Sequence, residues 1–121
     1  MPILDIEIVL RPGETLPENL AQELADRLGS ALDAPPGSTW VKARGLARDR
    51  YAESGGTPED LFPVFVSILK SSLPSPERME AEVDAVIGVV SRICARPREN
   101  VHVIYLPEGR GRVAFGGKLV R

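Results

Sequence analysis

The sequence predicts an α/β (α+β) fold made of two fused β-α-β units, a four-stranded sheet with both helices on one face. Three observations carry that expectation. Two apolar stripes at helical spacing are each flanked by short runs with strand patterning. The chain matches itself at a spacing of 61, as in Pro2 and Pro63, Ala34 and Ala95, Pro36 and Pro97, and Gly55 and Gly116. A helix joining two neighbouring strands makes a crossover, which is right-handed and leaves the pair parallel. At 121 residues and 43% hydrophobic content, a single domain over residues 1–121 is expected, divided into repeats at about 2–61 and 62–121.

The first strand is expected over residues 2–10, where Ile6 and Ile8 share a face and Asp5 and Glu7 are interleaved. Proline has no amide hydrogen to donate, and the head of a strand is where that loss is tolerated. Thr15-Leu16-Pro17-Glu18 matches a capping box and predicts a helix start there. Leu20, Leu24, Leu28 and Leu32 form its apolar stripe, and Asp33-Ala34-Pro35-Pro36 stops it. Residues 39–44 alternate as a second strand, with Trp40, Lys42 and Arg44 on one face and Val41 and Ala43 on the other. Residues 45–60, charged and glycine-rich with Gly55-Gly56 and Pro58, read as the joint between the halves. Residues 63–69 form a short apolar strand, and Ser75-Pro76-Glu77 supplies an N-cap with proline in the first turn. The second helix buries Met79, Val83, Val86, Ile87, Val90, Ile93 and Cys94 and ends at Ala95-Arg96-Pro97. Residues 101–106 are the fourth strand.

Composition narrows the partners. Fifteen basic against seventeen acidic side chains leave a net charge of −2, so there is no basic field to hold a phosphate backbone, and nucleic acid is not an expected partner. Cys94 is the only cysteine, which excludes an intramolecular disulfide, and with a single histidine beside it the chain cannot build a protein-only tetrahedral metal site. No metal and no cofactor are expected. No apolar run reaches about 18 residues and no basic-then-hydrophobic leader opens the chain, so a cytoplasmic protein outside the membrane is expected. The second face of the sheet has no segment left to cover it. With apolar residues on more than one face of the third and fourth strands, this predicts a homo-oligomer of closed symmetry.

Met-Pro-Ile at the start, the doubled β-α-β unit, Leu32-Asp33-Ala34-Pro35 after the first helix and Gly111-Arg112-Val113-Ala114-Phe115-Gly116-Gly117 near the end resemble the tautomerase superfamily. The pattern is most similar to 4-oxalocrotonate tautomerase-like proteins, in the fused two-unit form that macrophage migration inhibitory factor also has. The resemblance implies a trimer with a pocket at a subunit interface. It also implies keto-enol (1,3- or 1,5-) proton transfer on a small 2-oxo or 2-hydroxydienoic acid, with the amino-terminal proline as general base. Removal of Met1 is then required, because it turns Pro2 into a free secondary amine. Partial burial or nearby cations disfavour the charged amine and bring its pKa toward neutrality, where a proton shuttle works best. The same cations would hold the substrate carboxylate and stabilise the enolate.

Beside catalytic Pro2, the resemblance implies substrate contacts from Arg11, Trp40, Lys70, His102 and Arg112. Arg11 ends the first strand, near where the short tautomerases keep a substrate-binding arginine. His102 falls where those members carry a second arginine and the inhibitory-factor branch a tyrosine, and its counterpart in the first unit is Trp40 or Val41. Lys70 stands where the dehalogenase and decarboxylase branches carry paired arginines. The run Leu69-Lys70-Ser71-Ser72-Leu73 has none, which argues against those chemistries. Plainer readings exist for each: a strand start for Pro2, a core or interface histidine for His102, packing for Trp40, a polar turn for Arg110-Gly111-Arg112. The competing functional classes are a hydratase or decarboxylase branch and a non-catalytic ligand-binding or interaction module with the same element order. A ferredoxin-like module has an antiparallel sheet, so the direction of pairing inside each unit discriminates.

Overall fold

In the computed structural model, which describes residues 2–121, β1 (Ile3–Val9) buries Leu4, Ile6 and Ile8 and turns Ile3, Asp5 and Glu7 to the opposite face. The expected loss of Met1 lies outside the described residues. The chain continues through α1 (Leu20–Ala31), β2 (Trp40–Leu46), β3 (Val64–Leu69), α2 (Pro76–Cys94) and β4 (Val101–Tyr105). The strands lie in the order β2-β1-β3-β4. Pairing is parallel within each unit, β1 with β2 and β3 with β4, and antiparallel where β1 meets β3. Both helices pack together on one face, the expected architecture. Among the described residues, no helix is long and apolar enough to cross a membrane.

The core lies between that face and the helices. Leu20, Leu24 and Leu28 of α1 and Val86, Val90 and Cys94 of α2 meet Leu4, Ile6, Ile8, Val64, Val66 and Ile68. The 61-residue spacing marks prolines and turns, but inward positions depart from it. Strand positions repeat at 60, Leu4 with Val64 and Val41 with Val101, because an odd spacing would turn one unit's core face outward. Helix positions repeat at 66, Leu20 with Val86 and Leu24 with Val90, because α2 is the longer helix. One consequence is that the counterpart of His102 is Lys42 rather than Trp40 or Val41.

The first helix starts later than its capping box predicts. α1 begins at Leu20 behind Asn19, and no side chain caps it. Leu16 precedes Pro17, whose ring disfavours helical backbone at the preceding residue, so the box cannot wind into a first turn. At the other end Leu32 donates its amide to the Leu28 carbonyl, and Asp33 turns the chain at φ 53°. α2 starts as expected, with extended Ser75 ahead of Pro76. It ends at Ala95 in the left-handed region, φ 56°.

That bend delivers Arg96 into the far end of the sheet. Its guanidinium, 1% exposed, donates to both Glu14 carboxylate oxygens at 2.7 Å and to the carbonyls of Phe62, Cys94 and Val9. One side chain thus ties β1, the entry to β3 and the end of α2. The hydrogen bonds from Arg96 hold the Glu14 carboxyl at about 2, against an ordinary 4.5; partial burial opposes them, and the Arg11 amide and the charges of Arg96 and Arg11 reinforce them.

The open face is less apolar than its strands suggest. Paired rows run Lys42-Asp5-Ser67-Ile104 and Arg44-Glu7-Phe65-His102. Lys42 lies 3.3 Å from Asp5 and Arg44 lies 3.0 Å from Glu7, so the β1–β2 half is ionic. The other half carries Ile104, 55% exposed, and in the ionic half the exposed apolar side chain is Trp40 at the start of β2.

Two further strands, β5 (Ala114–Phe115) and β6 (Lys118–Leu119), form a hairpin. At two residues each they are too short for alternation to be read. Their turn, Gly116-Gly117 with φ 63° and 82°, is the two-glycine form that a tight hairpin favours.

Candidate active site

Pro2 stands at the head of β1, buried, with its carbonyl accepting from the Trp40 amide at 3.0 Å. Side chains alternate along the strand, so Pro2 shares the helix-facing side with Leu4. Ile3 pairs with Trp40 on one flank and Leu69 on the other. Carrying the register back one residue sets Pro2 between Thr39 and Lys70. Thr39 is buried, and its Oγ1 has no hydrogen-bond partner among the described residues.

Lys70 points to the helix side. Its Nζ lies 2.9 Å from Glu82 Oε1, and the second carboxylate oxygen accepts from the Tyr105 hydroxyl. The ion pair is largely enclosed, Lys70 18% and Glu82 14% exposed. Burial, then its hydrogen bond to Glu82 and the charge of Glu82, push the Tyr105 hydroxyl well above its ordinary range, so it remains a neutral donor. Lys70 and Glu82 open onto a cleft of about 550 Å³, bounded by Asp33 after α1 and by Glu77 and Arg78 in the first turn of α2.

The C-terminal segment closes over the same end. The amides of Gly109 and Arg110 donate to the carbonyls of Lys70 and Ser71 at 2.8 and 3.3 Å. A Cβ at Gly109 would come within 3.2 Å of Val113 and 3.4 Å of Leu69, so a larger residue there would need those side chains to give by a few tenths of an ångström. The hairpin brings Phe115 onto Trp40, the rings stacked 4.2 Å apart. Trp40 is therefore packed on one side and 47% exposed, and strand alternation puts it with Lys42 and Arg44 on the open face. Arg112 is exposed and donates to the Glu108 carbonyl at 2.9 Å.

No protein-family model and no curated protein matches the chain. Solved structures do. A fused 4-OT, solved as a symmetric trimer, aligns with a TM-score of 0.78 at 16% identity over 98% of this chain and 94% of its own. Pt0534 inactivated by 2-oxo-3-pentynoate aligns at 0.77, with 16% identity and the same coverage of 98% and 94%. The macrophage migration inhibitory factor from Trichinella spiralis aligns at 0.71, with 11% identity over 96% of this chain and 97% of that one. The fold is tautomerase-like.

Within this fold the sequence-predicted residues divide into two groups. Pro2, Trp40, Lys70 and Arg112 lie at one end of the sheet. Arg11 lies past the opposite end of β1, roughly 25–30 Å from Pro2 at about 3.3 Å per strand residue. It donates to the Ala95 carbonyl and lies 3.7 Å from Glu14. His102 is the second residue of β4, on the open face, its ring 5.3 Å from Phe65, which in turn meets Tyr51 at 5.8 Å. Neither reaches Pro2 of its own chain. Among the described residues no group of three or more His, Cys, Asp or Glu is placed to hold a metal ion.

Glu82 and Tyr105 escape the sequence reading, although one signal was present. Glu82 stands four residues before Val86 on the stripe of Val86, Val90 and Cys94, and a carboxylate in a buried stripe needs a partner. Cys94 is buried and its thiol is pushed up to about 11, chiefly by that burial, which makes it core rather than nucleophile.

Proposed function

We propose that this chain is an isomerase of the tautomerase type, moving a proton between carbons of a small 2-oxo or 2-hydroxydienoic acid. The observation that carries the reading is Pro2, buried at the head of β1 and in register beside Lys70 in a tautomerase-like fold. With Met1 gone, the Pro2 nitrogen has a lone pair. It takes a proton from one carbon or enol oxygen and returns it to another, leaving the amine as it began. Lys70 sits where it can attract the carboxylate and the developing enolate. No redox step occurs, and no cofactor is needed.

His102 and Arg11 contact substrate only from a second copy of the chain, so the reading includes a homotrimer like that of the fused 4-OT. Light scattering should give the mass of three chains; the mass of a single chain would remove the interface pocket. His102→Ala should then lower kcat/KM about tenfold or more with little change in melting temperature, because its ring lies on the open face outside the core cluster. A collapse of the fold instead would make His102 structural.

The experiment that tests the base directly uses 2-oxo-3-pentynoate, which inactivates a structural neighbour. A secondary amine adds to its ketone-conjugated alkyne, forming one C–N bond while the N–H proton moves to the adjacent carbon, with no leaving group. Intact mass should rise by one whole inhibitor per chain, located in the N-terminal peptide. Labelling elsewhere, or none at a concentration that inactivates, would refute Pro2 as the reactive amine.

A further inference from the structure

We propose that Glu82 is a positioning residue of the Pro2 site, clamping the Lys70 ammonium and the Tyr105 hydroxyl into a cluster whose charge balance sets the proton affinity of the Pro2 amine. This rests on the reading of Pro2 as the base. Glu82 occupies a helix position that repeats, four residues apart, with buried Val86, Val90 and Cys94. An unpaired carboxylate there would be costly, and both of its oxygens are taken, one by Lys70 at 2.9 Å and one by Tyr105. The three residues come from three places, Glu82 from α2, Tyr105 from β4 and Lys70 from the end of β3. Each reaches the helix-facing side of the sheet at the end where Pro2 begins β1.

Charge near an amine moves its pKa in a defined direction. A cation disfavours the protonated amine and a carboxylate favours it. With Lys70 and Glu82 paired, the two effects oppose each other at Pro2; removing one leaves the other uncompensated. The surrounding groups stay constant. Asp33 follows α1, Glu77 and Arg78 lie in the first turn of α2, and Glu108, Arg110 and Arg112 belong to the C-terminal segment. β1 and β2 turn no titratable side chain to the helix side, since Asp5, Glu7, Lys42 and Arg44 pair on the open face.

The cluster also bears on substrate. In the free protein, Glu82 occupies the position on Lys70 that a substrate carboxylate would take, so an acid must compete with it. Glu82→Gln should therefore lower KM for carboxylate substrates several-fold.

The test is the pH profile of kcat/KM on a 2-hydroxydienoate, using protein shown by intact mass to begin at Pro2. The acid limb should move down by about one pH unit in Glu82→Gln and up by about one unit in Lys70→Met. Tyr105→Phe changes no charge and should leave the limb in place. Titration of the Pro2 nitrogen by 15N NMR gives the same shifts without turnover, and the Lys70→Met arm decides if Glu82→Gln does not fold. Unmoved limbs in Glu82→Gln and Lys70→Met, with only the melting temperature lowered, would make the cluster structural and overturn the proposal while leaving Pro2 as base. An undiminished rate in protein proven to retain Met1, whose Pro2 nitrogen is an amide, would remove the base itself, and the proposal with it.

Discussion

Replacing Arg96 with alanine should lower the unfolding free energy by about 3–5 kcal/mol, the cost of breaking a buried ion pair by removing one partner. Against a total of about 5–15 kcal/mol for a domain, that is a large fraction. The expectation rests on the accounting of groups left behind. The Glu14 carboxylate loses both charge-assisted bonds, and the carbonyls of Phe62, Cys94 and Val9 lose their donor at a site sealed from water on the Arg96 side. Urea unfolding of the wild type and Arg96→Ala measures the difference; a loss below about 1 kcal/mol would show that the cluster is not what joins the strands at this end.

The same pair has a signature in acid. The folded carboxyl of Glu14 is held at about 2, below its ordinary 4.5, by the hydrogen bonds from Arg96 first of all. A depressed folded value stabilises the fold above about 4.5, and that contribution is lost progressively as pH falls toward about 2. Wild-type stability should therefore decline through this window. In Arg96→Ala the carboxyl returns toward its ordinary range, and the decline from this group should flatten.

The periodic parts of the chain were legible because burial selects them. The leucine stripe of α1, the valine stripe of α2 and the alternation of β1 each describe one buried face, and parallel pairing follows from a helix that must cross between neighbouring strands. What escaped was set by tertiary contacts. Arg96 reads as a helix-ending residue until the left-handed turn at Ala95 swings it onto Glu14, 82 residues away. Glu82 reads as one more helical carboxylate until Lys70 and Tyr105 are seen to share it. The hairpin at Gly116-Gly117 was visible only as a turn, because two-residue strands carry no period. The site divides along the same line. Of the residues the resemblance implies, Pro2, Trp40 and Lys70 fall at one end of the sheet because register brings them there, whereas Arg11 and His102 lie elsewhere in the protomer.

Retention of Met1 should abolish most of the proposed activity, a loss of about 10²–10⁴-fold, the usual contribution of a positioned general base. With methionine attached, the Pro2 nitrogen is an amide whose lone pair is delocalised into the carbonyl, and it cannot accept a proton near neutral pH. With methionine removed, the same atom is a secondary amine on a rigid ring, at the head of a strand that pairing to Trp40 and Leu69 holds in place. Pro2→Ala keeps an amine but loses the ring that is buried here, so it should keep the oligomer and lose most of the rate. Two preparations separate these effects, one processed to Pro2 and one with methionine retained, each verified by intact mass and assayed on the same 2-hydroxydienoate. Equal rates from both would eliminate Pro2 as the base. The search would then turn to His102, the single imidazole of the chain, acting across an interface on the open face where it stands against Phe65.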